Sequence, residues 1–69
     1  MKNEKLVKYR KMLNATQLEM ATVIGVKTAQ GYCYKENGKL NFTDDEKKAI
    51  QEMFNTRLNL NLTVEELFS

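Results

Sequence analysis

A chain of 69 residues has room for one domain, with a core near the lower limit for folding unaided. A single cysteine, Cys33, and no histidine exclude an internal disulfide and a Cys/His zinc cluster and remove the commonest general base, so no metal, cofactor or enzyme chemistry is expected. The formal net charge of +2 hides an asymmetry: residues 1–39 hold eight Lys/Arg against three Asp/Glu, a balance of +5, and residues 40–69 hold three against six, a balance of −3.

The lack of proline and the presence of only three glycines favour an all-α chain. Asn3 is placed to cap a first helix reaching about Leu13, with Glu4 in its first turn. Leu6, Tyr9, Leu13 and Met12 form its apolar stripe at helical spacing. Asn14 and Ala15 break the pattern. Thr16 then caps a second helix, and Glu19 three residues on fits a capping box. Met20, Ala21, Val23 and Ile24 give that helix a buried side, and Gly25 stops it where positive φ costs glycine least.

A third helix starts at Thr28, reaches about Glu36 and ends at the turn signal Asn37-Gly38. Thr43 caps a fourth, TDDEKKAIQEMF, with Asp44, Asp45 and Glu46 at the favourable end of the helix dipole and Ile50, Met53 and Phe54 facing the core. In the tail, Leu58, Leu60 and Leu62 alternate with asparagine as a strand would. A lone strand has nothing to pair with here, so a packed loop is expected. Thr63 caps a last turn, VEELF, whose Leu67 and Phe68 close the core. The sum is five short helices in one compact domain over residues 1–69.

The basic half suggests an anionic partner, against the plainer alternative of uneven charge on a solvated surface. No apolar run reaches the ~18–20 residues of a membrane span, and MKNEKLVKYRK has no apolar stretch behind its charges as a secretory signal does. A cytoplasmic protein with no membrane partner is expected, consistent with one reduced thiol.

Residues 16–39, TQLEMATVIGVKTAQGYCYKENGK, read as a helix, a glycine-bearing turn and a second helix. Ala21 and Gly25, four apart, are the small residues that let two such helices cross closely. With LVKYRKMLNATQLEMATVIGV before it, YKENGK at the end of the third helix, and FTDDEKKAIQEMF then LTVEELF after it, the chain resembles the Cro/repressor family of helix-turn-helix proteins of phages and mobile elements. The resemblance spans about residues 4 to 68. It implies a five-helix lambda-repressor-like domain whose third helix projects its N-terminal residues into the major groove while the second crosses the backbone.

The resemblance also implies roles. Arg10 and Glu36 match a buried ion pair between the first and third helices; two exposed charges are the plainer reading. Thr16 and Gln17 match positions that hold a DNA phosphate at a helix N-terminus, which is compatible with Thr16 serving as a cap. Gln30 is the leading candidate for base contact, since glutamine can grip adenine N6 and N7, and Thr28 and Ala29 beside it could meet a thymine methyl. Tyr34, one turn on, could reach the DNA or pack against the first helix, whereas Tyr32 is expected in the core. Lys27, Lys35, Lys39 and the backbone from Asn37 to Phe42 would complete a phosphate-binding rim, with solvated surface charge as the alternative for each lysine.

The segment from Gly25 to Glu36 is one residue longer than the commoner family spacing, which widens the turn near residues 26–28. Gly31 inside the third helix costs about 1 kcal/mol against alanine; it either permits close approach to DNA or weakens the helix. The third helix carries no arginine, so bidentate arginine readout of guanine is excluded there. The implied function is a sequence-specific repressor that occupies a double-stranded DNA operator as a homodimer. Arg57, Leu58, Leu60, Leu67 and Phe68 are the dimerisation candidates, with core closure as the alternative. An antirepressor-like modulator that binds another repressor protein is the second expectation, since fold does not settle function.

Overall fold

The computed structural model describes residues 3–68, and every regular element among them is a helix: α1 (Glu4–Met12), α2 (Gln17–Ile24), α3 (Ala29–Glu36), α4 (Asp44–Leu58) and α5 (Val64–Phe68). Four threonines set the helix starts. The hydroxyls of Thr16, Thr28, Thr43 and Thr63 accept the backbone N–H three residues on, from Glu19, Gly31, Glu46 and Glu66, at 3.0 to 3.1 Å. Each such cap contributes roughly 1 kcal/mol. Glu19 and Glu46 return the bond to the backbone N–H of Thr16 and Thr43, completing two capping boxes. Gly25 ends α2 at φ 80°, and its N–H reaches back to the Ala21 and Thr22 carbonyls.

Asn3 departs from expectation. It occupies the cap position of α1 without a side-chain capping bond. Its backbone N–H instead donates to the Glu36 carbonyl at 2.9 Å, and its Nδ2 lies 3.5 Å from the Lys35 carbonyl oxygen. The start of α1 is thereby pinned to the end of α3, where helix carbonyls need partners from outside the helix.

Leu6, Met20, Ala21, Tyr32, Ile50, Phe54 and Leu67 form the innermost core, closed by Ala15 and Phe42. Burying each of the larger apolar side chains is worth roughly 1.5–3 kcal/mol. The rings run in two lines, Tyr32 edge-on to Phe42 and Phe42 edge-on to Phe68, with Tyr9 against Phe54 at a tilt. Val23 and Met12, expected in the core, are instead 37% and 58% exposed. Each helix has one inward face, and Gln17, Met20, Ala21 and Ile24 fill that of α2, leaving Val23 on the flank. Leu6, Tyr9, Arg10 and Leu13 do the same for α1.

The leucine–asparagine tail is the expected packed loop only from Asn59 on, because α4 runs past Phe54 to Leu58. Asn59 turns the chain at φ 55°. The Asn55 carboxamide then accepts from the Leu62 N–H at 2.8 Å and donates to the Leu62 carbonyl at 2.9 Å, and Gln51 donates to the same oxygen. Leu62 therefore has side-chain amides where a strand would have a neighbouring backbone.

Candidate functional site

Glu36, the last residue of α3, is 2% exposed. A carboxylate at that depth must have its charge answered, and donors from three helices answer it. Arg10 of α1 donates from Nε to Oε2 at 2.8 Å and from Nη2 to Oε1 at 3.2 Å. Gln17 of α2 donates from Nε2 to Oε1 at 3.2 Å, and the Tyr32 phenol of α3 donates to Oε2 at 2.9 Å. The remaining Arg10 nitrogen, Nη1, donates to the Ala15 carbonyl at 3.2 Å and ties down the α1–α2 connection.

The electrostatics follow from this packing. The hydrogen bond to Glu36 raises the Arg10 pKa, outweighing the opposing effect of burial. Burial first, then the charge of Glu36 and its hydrogen bond, push the Tyr32 phenol far above its ordinary 10.0, so it stays a donor. The carboxylate fixes how α3 sits on α1 and α2.

With Tyr32 and Glu36 turned inward, the opposite face of α3 is open. Gln30 and Tyr34 are exposed along it, Lys27 and Thr28 are exposed just before the helix, and Lys39 follows just beyond it. The Gln30 Nε2 donates to the Tyr34 phenol oxygen at 2.7 Å, and the Lys39 ammonium lies 5.5 Å from the Tyr34 ring centroid. Gln30, Tyr34 and Lys39 thus form one polar stripe. Ala29 is half-buried beside it.

Gly31 faces neither open space nor this stripe. A Cβ there would come within 2.7 Å of Val26 Cγ1 and 3.3 Å of Thr28 Oγ1. The bare backbone of Gly31 is the seat on which the turn packs, and α3 is continuous through it.

The remaining candidates divide. Thr16 is exposed at the start of α2, with its hydroxyl and N–H both engaged by Glu19. The Gln17 side chain turns inward to Glu36. The Lys35 ammonium bonds Glu46 at 2.7 Å and the Asn41 carbonyl at 3.2 Å, joining α3 to the start of α4. That contact lowers the Glu46 pKa: burial works in the opposite direction but is outweighed by Lys35 and the capping bonds of Thr43. The Asn37 side chain donates to the Cys33 sulfur at 3.2 Å. The backbone N–H groups of Asn37, Gly38, Lys39 and Leu40 all return to carbonyls of α3, so this part of the expected rim is occupied in ending the helix.

Among the dimerisation candidates, Leu67 is 2% exposed in the chain's own core, and Phe68 packs against that core edge-on to Phe42. Arg57 is exposed, and Leu58 and Leu60 are half-exposed. Two contacts of the Glu36 cluster were not read from the sequence. The Tyr32–Glu36 bond had a signal in its spacing of four, which places both on one helix face. The Gln17 contact, 19 residues away in sequence, had none. No protein-family model matches the chain, and comparison with curated proteins and with solved structures finds no match.

Proposed function

We propose that this chain is a sequence-specific DNA-binding regulator of the Cro/repressor type, which lays the outer face of α3 in the major groove and represses by occupying an operator as a dimer. The observation that supports this most directly is the pair Gln30 and Tyr34 on the outer face of a helix whose other face is locked by Glu36, with exposed Lys27 and Lys39 in the segments on either side of it. Glutamine on a rigid helix can address base edges, and lysines at either end can meet phosphates. In this reading α2 and α3 act as a helix-turn-helix within a lambda-repressor-like domain, with Thr16 presenting the start of α2 to the backbone. Pairing of two copies falls to Arg57, Leu58 and Leu60, because Leu67 and Phe68 are committed to the core.

The test is selection from randomised duplexes at near-physiological salt, followed by sequencing of what stays bound. Enrichment of a palindrome with half-sites about one helical turn apart, roughly 34–36 Å, is the expected result. Absence of any enriched sequence, from protein shown to be folded by circular dichroism, overturns the reading.

One observation favours a second reading, a modulator that binds another repressor protein. Leu18 and Val23 on α2 are 57% and 37% exposed, two apolar side chains on the outer side of that helix beside Glu19 and Thr22. Association through such a surface responds weakly to salt, whereas phosphate contacts weaken steeply with it.

A further inference from the structure

Gln30 and Tyr34 are one turn apart on the exposed face of α3, joined by a hydrogen bond of 2.7 Å from Nε2 to the phenol oxygen. A free glutamine is an ambiguous reader of purines. Its carboxamide has two N–H donors and one carbonyl acceptor. It can meet adenine with one donor to N7 and the acceptor to N6, or meet guanine with its donors, since N7 and O6 both accept.

The bond to Tyr34 consumes one of the two donors. What is left is one donor and one acceptor, which complements adenine and leaves a mismatch at guanine O6. The tyrosine is itself held in place. Lys39 lies over its ring, and the Lys39 and Leu40 N–H groups both bond the Tyr34 carbonyl, at 2.9 and 3.2 Å.

We infer that Tyr34 is a specificity-positioning residue: by taking one amide hydrogen of Gln30, it makes that glutamine accept adenine and reject guanine at one base pair of each half-site. The inference rests on the DNA-binding reading above and adds the base preference and its cause.

Tyr34→Phe is the informative variant, because it keeps the ring and its lysine contact and removes only the oxygen. In the free protein, the Gln30 side-chain amide signals in nitrogen-15 NMR spectra are expected to move and to exchange faster with solvent in Y34F. Unchanged signals overturn the clamp without any DNA present.

Duplex selection with wild type, Y34F, Q30A and the double variant then tests the consequence. Wild type is expected to choose adenine over guanine at one position, and Y34F to keep the site while losing about 3- to 10-fold of that preference, the net worth of one hydrogen bond. Q30A is expected to lose the preference, with Y34F adding nothing in that background. A Y34F protein with wild-type base preference overturns the inference and leaves the DNA-binding reading standing. An equal shift from Y34F in the Q30A background also overturns it, since Tyr34 would then be reading the base itself. Wild type that selects no sequence overturns both.

Discussion

Tyr32 and Tyr34 lie two residues apart and serve opposite ends, because successive residues of a helix point to different sides. Tyr34 is out on the polar stripe, while Tyr32 is fully buried and donates to Glu36. Its pKa is raised by burial and then by the Glu36 charge. The folded chain therefore keeps a phenol proton that the unfolded chain releases above its ordinary 10.0. Stability from this group is complete below that pH and is lost as pH rises beyond it. In urea melts, the stability gap between wild type and Tyr32→Phe is expected to hold from about pH 7 to about pH 9 and then to narrow, by at most about 1.4 kcal/mol per pH unit. A gap that stays constant above about pH 10 would detach the alkaline sensitivity from Tyr32. Tyr32 was legible as a core residue from its place in the helix. Its service to a carboxylate was not, because the resemblance paired Glu36 with Arg10 alone.

At the scale of the elements, α2, its turn and α3 depend on one missing side chain. Helix propensity alone says that Gly31→Ala should stabilise α3 by about 1 kcal/mol. The packing says otherwise, since the added Cβ would meet Val26 Cγ1 at 2.7 Å, and overpacking costs about 1–3 kcal/mol. G31A is expected to lower the melting temperature by several degrees, about 4–8 °C per kcal/mol in a domain of this size. Combining it with Val26→Ala removes the colliding methyl and should recover part of the loss relative to the sum of the single changes. A G31A protein more stable than wild type would show that the turn yields more easily than the helix gains. The capping threonines were readable because a cap operates within four residues. The seat under Val26 was not, since it depends on how the turn folds back onto the helix. The loop after α4 is intermediate: its alternating leucines suggested a strand, the lack of a partner ruled that out, and only the structure identified Asn55 as what holds it.

Across the whole molecule, the basic first half is less free than its count suggests. Arg10 is committed to Glu36 and Lys35 to Glu46, both at contact distance. Among the described residues, the exposed lysines that flank α3 in sequence are Lys27 and Lys39. Anisotropy titrations of an operator duplex from about 50 to 200 mM salt should separate the two kinds of lysine, since log K falls by about 0.9 per phosphate neutralised for each tenfold rise in salt. Lys39→Ala is expected to flatten that slope by about 0.9 per bound protomer. Lys35→Ala should leave the slope unchanged and lower the melting temperature, as a tie between α3 and α4 is lost. A flattened slope in K35A would return that lysine to the interface.

The sequence by itself determined the five helices, the four threonine caps, the stops at Gly25 and Asn37-Gly38, and the division into a basic and an acidic half. These are consequences of neighbours within a few residues, or of simple counting. It also carried Arg10 and Glu36 as a pair, though only through resemblance, since 26 residues separate them. The tertiary structure decided which polar groups tie elements together and which stay on an open face. Gln17 and Lys35 look as available in the sequence as Gln30, but they bond Glu36 and Glu46 on other helices, whereas Gln30 bonds Tyr34 on the exposed face of α3. A side chain's chemistry is local, whereas its partners are chosen by whatever the fold brings within about 3 Å of it.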